Sequence, residues 1–407
     1  MVRERGIEDY VVDELVKHGW RYVDSTNLER EGVNKPLLYS VLRRKIHAFN
    51  PGVSEEDVSE AISLLEGRSL GPKGAREVLE YLKFGVPVKL IKTRTSARLK
   101  LIDYSNPDRN EFVVSRQVTH VGLREIRNDI LLYVNGIPIV SIEVKSPTDP
   151  GTSWRDAFLQ IKRYEREVPE LYKYVQIGVA VEAVARYFPI VPWAEADNVP
   201  VYEWREGGLD SIDSAIEMLR PEKLLDILRF YTYFRMEEGR ETKVIARYMQ
   251  YRAANKIVER VLKRLRGESD VDRGLIWHWQ GSGKTLTMIF AAAKLYWLLE
   301  NPMIFFVVDR IELQNQLYYE NLTKLDLGPE VKPKLIDNIE RLRQVLSYND
   351  YRGEPGLFVV TIQKFLPEEF EMLEKLLEAV ARSRPDTVMD RTDVVVLIDE
   401  AHRTQYG

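Results

Sequence analysis

Apolar side chains recur at Tyr10, Val11, Val12, Leu15 and Val16 with helical spacing, which predicts a helix over residues 8–19 with Gly19 as its stop. Trp20-Arg-Tyr-Val23 then predicts a short extended piece. A helical zone follows to about residue 83, broken at Pro51-Gly52 and Gly71-Pro72. From there the period changes. Residues 86–91, 97–103, 111–119, 130–134 and 137–144 are short β-rich runs separated by turn residues. Asn135-Gly136 lies between the last two and signals a two-residue hairpin. Helical spacing returns over 154–167, and 175–181 predicts another apolar strand.

Residues 187–210 mix Pro, Gly and polar side chains and predict a domain edge. Residues 221–236 predict a connector helix with Leu224, Leu225, Ile227, Leu228 and Tyr231 on its apolar face, and Gly239-Arg-Glu-Thr predicts a hinge. From residue 241 the order is a helix at 245–265, a strand at 274–278, a Gly-rich loop, a helix at 284–299 and a strand at 303–308. The chain therefore predicts an α/β protein: a sheet flanked by helices over 1–205, a connector over 206–240, and a parallel doubly wound domain over 241–407. No internal repeat or low-complexity tract interrupts this order.

The 407 residues exceed one ordinary core, and 44% hydrophobic with 30% charged residues is a folded, water-facing composition. A net charge of −4 means that any affinity for nucleic acid rests on local basic faces. The absence of cysteine excludes disulfides, thiolate metal sites and cysteine nucleophiles, and with abundant Glu, Lys, Arg and Tyr it is in keeping with a thermophile. No apolar run is long enough to span a bilayer, and Met1-Val-Arg-Glu-Arg5 lacks a signal core. The expectation is a cytoplasmic protein with no membrane partner.

Gly281-Ser282-Gly283-Lys284-Thr285 lies between an apolar run and a helical pattern, the setting of a phosphate loop. Its glycines let backbone N–H groups face phosphate oxygens at a helix N-terminus. Lys284 would reach the β- and γ-phosphates of ATP, and the Thr285 hydroxyl would ligate Mg²⁺. His278 stands where such loops usually begin with glycine. Val395-Val-Leu-Ile-Asp399-Glu400-Ala-His402 is an apolar strand ending in acids. Asp399 would hold Mg²⁺ through water, and Glu400 would orient and deprotonate the attacking water.

The second constellation is Asp129 followed by Glu143-Val-Lys145. An antiparallel return through Asn135-Gly136 brings Asp129 near Glu143, and Glu143 and Lys145 share a strand face. Two carboxylates and a lysine there can hold a divalent metal and stabilise phosphate charge. An exposed salt-bridged edge also supplies Glu-X-Lys, but the preceding Gly136-Ile-Pro-Ile-Val-Ser-Ile142 is apolar, where charge is costly. Gln160 and Tyr164 sit at i and i+4 on the next helix and face one way. Lys89, Lys92, Arg94, Arg98 and Lys100 form an acid-free stretch that suits either phosphate contact or a solvated strand pair.

Asp399-Glu-Ala-His402 resembles superfamily 2 helicases and translocases. That resemblance makes Gln250 the adenine-reading glutamine and adds His402 to the nucleotide set. It makes Phe306-Val-Val-Asp309-Arg310, with Leu313 and Gln316-Leu317, and then Val360-Thr361-Ile-Gln363-Lys364-Phe365, segments that touch the DNA backbone. Arg127-Asn128-Asp129 through Pro138, Glu143-Val-Lys145-Ser-Pro147 and His278-Trp-Gln-Gly-Ser-Gly-Lys-Thr285 together resemble the R subunit of type I restriction enzymes. The resemblance implies a PD-(D/E)xK restriction-endonuclease-like domain followed by a RecA-like helicase lobe. The catalytic set would be Asp129, Glu143 and Lys145, supported by Gln160 and Tyr164. The implied cofactors are Mg²⁺ and ATP, and the implied partners are double-stranded DNA with the modification (methyltransferase) and specificity subunits. Glu8 matches an N-terminal helical acid that touches the metal in related nucleases; a solvated helix face is its other reading. The chain ends at Gly407, before the second ATPase lobe and arginine finger that the resemblance implies. The expectation is a fragment that binds ATP without steady turnover. Two further readings stay open: a translocase with an inert DNA-binding front domain, and a non-catalytic assembly module.

Overall fold

The computed structural model describes residues 4–148, 151–237, 239–279, 281–328, 331–361, 367–383 and 386–399. The chain forms two compact units. One comprises Met1–Phe234 with Arg240–Tyr248, the other Arg235–Gly239 with Met249–Gly407.

The first unit opens with α1 (Glu4–Lys17), a short β1 (Arg21–Tyr22), and three helices, α2 (Tyr39–Phe49), α3 (Glu55–Glu66) and α4 (Pro72–Phe84). The helix breaks fall at the expected Pro and Gly pairs. The α1 stripe is only partly buried: Val11, Val12 and Leu15 are in the core, whereas Tyr10 and Val16 are exposed. A separate hairpin, β2 (Val86–Lys89) and β3 (Ser96–Leu99), precedes the main strands β4 (Phe112–Val121), β5 (Glu125–Val134) and β6 (Ile137–Val144). Then come α5 (Trp154–Glu167), α6 (Pro169–Tyr172), β7 (Ile177–Val181), β8 (Ala185–Pro189), α7 (Ser211–Met218) and α8 (Pro221–Phe230). The strand β8 runs into the start of the segment expected to be an irregular edge.

The six-stranded sheet runs β1-β4-β5-β6-β7-β8. β5 and β6 pair antiparallel, whereas β6 and β7 pair parallel. β6 is buried along its whole length, which explains its continuous apolar run. The hairpin turn has Asn135 at φ 52° and Gly136 at φ 82°, as a two-residue turn with left-handed central residues requires. A Cβ on Gly136 would lie 2.6 Å from the Leu38 carbonyl oxygen, so no other residue fits there.

The expected connector helix over 221–236 ends early. α8 stops at Phe230, and residues Thr232–Glu237 form strand β9. The expected hinge is also a strand, β10 (Arg240–Ile245), and its Lys243 is buried against Gln176 of the first unit at 2.9 Å. The apolar run that suggested a longer helix is satisfied by extended backbone packed on the sheet.

The second unit contains α9 (Tyr248–Leu265), α10 (Lys284–Leu298), β11 (Met303–Val308), α11 (Ile311–Asn315), β12 (Lys334–Ile336), α12 (Ile339–Tyr351), β13 (Gly356–Thr361), α13 (Pro367–Ser383) and β14 (Val394–Ile398). Its four-stranded sheet, β12-β13-β11-β14, is parallel throughout. The strand expected at 274–278 does not form. Residues 271–279 carry no regular structure, with Leu275 73% and Trp277 85% exposed. Together with Val394 to Asp399, residues 271–278 line a cavity of 1490 Å³ beside β14, whose Val396 and Ile398 are themselves exposed.

Candidate active site

The first unit gathers its acids where two strands part. The last ladder pair between β5 and β6 at this end is Ile130 with Ile142, and Glu143 registers instead with Ala180 on β7. Asp129 and Glu143 sit one step past that last pair. The Asp129 backbone N–H donates to Glu143 Oε1 at 3.2 Å, and the Val144 N–H donates to Asp129 Oδ2 at 2.9 Å. Glu143 is fully buried and Asp129 is 9% exposed. Burial first, and then the Asp129 charge, hold the Glu143 carboxyl well above the usual carboxylate range.

Helix α5 supplies the third side. Its start is fixed by Ser153, whose N–H donates to Asp156 Oδ2 at 2.7 Å while its hydroxyl accepts from Arg155 N–H at 3.2 Å. One turn later, Gln160 Nε2 donates to Glu143 Oε2 at 2.6 Å, and Lys145 Nζ donates to Gln160 Oε1 at 2.5 Å. Gln160 Nε2 also lies 2.8 Å from Tyr164 Oη, which donates to the Arg127 carbonyl at 3.1 Å. Burial, followed by the Glu143 charge, raises the Tyr164 phenol, so it remains a hydrogen-bond donor. All five residues named for the nuclease chemistry therefore meet in one cluster.

Glu8 reaches the cluster from α1, buried at 5% exposure, which removes the solvated-face reading. Gln117 bridges it to Asp129, its Nε2 donating to Glu8 Oε2 at 2.9 Å and facing Asp129 Oδ1 at 3.5 Å. Among the described residues, no group of three His, Asp or Glu side chains closes into a metal cage. The pair Asp129 and Glu143 nonetheless suits a magnesium ion. Such an ion takes one or two carboxylates and fills its remaining positions with water and phosphate oxygens. A buried carboxyl with a raised pKa beside a second one is also a place where a cation would relieve like-charge repulsion.

Four further participants carry little sequence signal. Gln117 takes φ 49°, and this left-handed backbone turns its side chain toward the acids. Asn128 Nδ2 donates to Tyr172 Oη at 2.9 Å and to Ser141 Oγ at 3.2 Å, and lies 3.5 Å from Glu143 Oε1. Tyr172 and Ser141 thus brace the underside of Glu143 from α6 and β6. Only Asn128, adjacent to Asp129, was within reach of a motif argument.

In the second unit, Gly281 has φ 79° and Gly283 φ 84°. The left-handed φ favours glycine at 283, and Gln250 is seated against the loop, its Nε2 3.4 Å from the Gly283 carbonyl. Lys284 and Thr285 open α10. Ser282 Oγ and His278 Nδ1 are buried without a hydrogen-bond partner among the described residues, and the Ser282 hydroxyl suits a phosphate oxygen. Burial and then Lys284 lower the His278 pKa. Asp399 follows β14, its N–H donating to the Val307 carbonyl at 3.0 Å, and it lines the same cavity as Lys284. Glu400 and His402 lie outside the described residues, as do Gln363, Lys364 and Phe365. Thr361, which ends β13, donates to Gln314 Oε1 at 2.6 Å, so two of the segments expected to touch DNA are joined.

Residues 1–197 match the family model described as type I restriction enzyme R protein N terminus, and residues 249–407 match that of the SWI2/SNF2 ATPase. The chain is 31% identical over 98% of its length to a putative type I restriction enzyme MjaVIIIP endonuclease subunit of Methanocaldococcus jannaschii, covering 39% of that protein. It is 37% identical over 70% of its length to the putative MjaVIIP endonuclease subunit of the same organism, covering 28% of it. It is also 29% identical over its whole length to the type I restriction enzyme HindI endonuclease subunit of Haemophilus influenzae, again covering 39%. The chain thus spans about two fifths of the length of the first and third of these relatives. No helix among the described residues is long and apolar enough to cross a membrane.

Proposed function

Since its N-terminal domain and its relatives show that the chain belongs to the type I restriction enzyme R protein family, we propose that the first unit is a PD-(D/E)xK-type nuclease that hydrolyses DNA phosphodiesters. The second unit, in this reading, is a RecA-like first lobe that binds ATP and contributes to DNA translocation in a complex with modification and specificity subunits. The observation that carries the proposal is the meeting of Asp129, Glu143, Lys145 and Gln160 at the point where β5 and β6 part.

Asp129 and Glu143 would hold Mg²⁺, which when bound supplies positive charge to the phosphate and lowers the pKa of a water molecule. Lys145 sits on the Glu143 face, with its ammonium aimed by Gln160 Oε1. From there it can donate to a phosphate oxygen and stabilise the charge that builds on it. Gln160 keeps the Lys145 ammonium and the Glu143 carboxylate at fixed separation, and Tyr164 locks Gln160 to the β5 backbone through Arg127. Asn128 and Tyr172 keep Glu143 from turning away. In the second unit, Lys284, Thr285, Asp399 and the Gly281 to Gly283 loop form the phosphate-facing set, and Gln250 is the candidate adenine contact.

Lys145→Ala tests the nuclease reading. The variant should retain duplex affinity and lose roughly 10²- to 10⁴-fold in cleavage rate. Equal cleavage by variant and parent would transfer the front unit to the class of DNA-binding platforms.

A further inference from the structure

We propose that the β2–β3 hairpin is a duplex-DNA contact that grips phosphates beside the nuclease unit's own sheet. The inference rests on the nuclease reading and extends it to a surface outside the acid cluster. Among the described residues the hairpin pairs only with itself: Val86 with Leu99, Val88 with Ala97 and Lys89 with Ser96. Its two faces differ. Val86, Val88 and Leu99 are buried, whereas Pro87, Lys89, Ser96 and Arg98 point outward and are exposed. The ribbon is therefore a fixed strut with one anchored face and one free face.

Two further tethers hold it. Lys100, just past β3, exchanges backbone hydrogen bonds with the Asn50 side chain at 2.9 and 3.0 Å, and Ile91 N–H at the tip donates to Asp57 Oδ1 at 2.9 Å. Asp57 is the acid that holds the tip, and its charge also acts on Lys92. Its carboxylate is already taken up by the Ser54 and Ile91 backbone N–H groups.

The free face is cationic and only partly compensated. Residues 89–102 contain five cations and no acid, in a chain whose net charge is −4. Arg98 is neutralised by Glu80 at 2.7 Å. Lys89, Lys92 and Arg94 are exposed and form no ion pair among the described residues. Arg94 takes φ 60°, which turns the tip so that Lys92 and Arg94 both project from it. Holding like charges together with no acid between them disfavours the fold on its own, and a polyanion would reverse that balance. A two-stranded ribbon with a basic edge also has the width to enter or straddle a DNA groove, and the backbone phosphates are the groups its lysines and arginine can reach.

The test is the binding of a fluorescently labelled DNA duplex to the full chain over a salt series, read by anisotropy. The variant is Lys89→Thr/Lys92→Thr/Arg94→Asn, with asparagine chosen because it tolerates the left-handed position. It should melt at or slightly above the parent's temperature and bind the duplex more weakly. The slope of log affinity against log salt should fall by about 0.9 for each lost phosphate contact, so by about 2 to 3 in all. The charge-preserving variant Lys89→Arg/Lys92→Arg should keep the parent's slope. A triple variant with unchanged affinity and slope, beside a parent that binds, overturns the hairpin proposal alone. A parent that binds no duplex at low salt overturns the hairpin and the nuclease reading together. If the triple substitution weakens binding to polyglutamate and leaves duplex binding intact, the hairpin is a contact for an acidic protein and the proposal fails.

Discussion

Gln160 and Glu143 are joined across two elements by a 2.6 Å hydrogen bond from amide to carboxylate, and the same amide accepts from Lys145. Removing it leaves the acids in place but frees both neighbours. Gln160→Ala should lower kcat by about 10- to 100-fold, as loss of a partner that orients metal ligands typically does, with little change in KM for DNA. Steady-state kinetics that instead place the loss in KM would make Gln160 a substrate contact.

Gln117 combines a strained backbone with a bridging side chain. Gln117→Gly removes the side chain and suits φ 49°, whereas Gln117→Ala removes it and keeps the strain. The glycine variant should be more stable than the alanine variant by about 1 kcal/mol in urea unfolding. Both should need more divalent cation for half-maximal cleavage, because Asp129 and Glu8 lose their common donor. A cation requirement equal to the parent's would reduce Gln117 to a structural residue.

Glu165 lies on α5 beside the candidate site, buried with Lys162 as its partner. Burial pushes its pKa from 4.5 up to about 7. A carboxyl with a raised folded-state pKa keeps a proton that the unfolded chain has released. Its stabilising contribution is therefore complete below pH 4.5 and is lost as pH rises toward about 7. The melting temperature of the parent, measured relative to Glu165→Gln, should fall across that window. A constant difference from pH 4 to about 8 would contradict the shift.

Trp279 is 67% exposed two residues before Gly281, and Trp277 is 85% exposed. Binding of ATP with Mg²⁺ at the Gly281 to Thr285 loop should change tryptophan fluorescence saturably, and Lys284→Ala should abolish the change. A response that survives in Lys284→Ala would locate the nucleotide elsewhere.

Local chemistry was the legible part of this fold. Asn135-Gly136 announces its hairpin because the turn demands left-handed residues, and residues 154–167 mark α5 to the residue because a capped amphipathic helix carries its own ends. The acid pair could be read from strand pairing alone. Contacts between distant segments were illegible. Nothing in a sequence reveals that Gln117 adopts a left-handed backbone, or that α1 delivers Glu8 to β4. The failures at 221–236 and 274–278 share one cause. An apolar run states that burial is favourable without stating the conformation in which it occurs, and at Leu275 and Trp277 the burial is not realised.

The central claim is that Asp129 and Glu143 form a divalent-cation site, and calorimetric titration of the full chain with Mn²⁺ tests it most directly. Because Glu143 holds its proton unusually firmly, cation binding should release it, and the observed heat should vary with the ionisation enthalpy of the buffer. The account predicts saturable binding with that buffer dependence in the parent, and loss of both in Glu143→Gln and Asp129→Asn. Binding unaltered by either substitution, or no saturable binding in the parent, would contradict it.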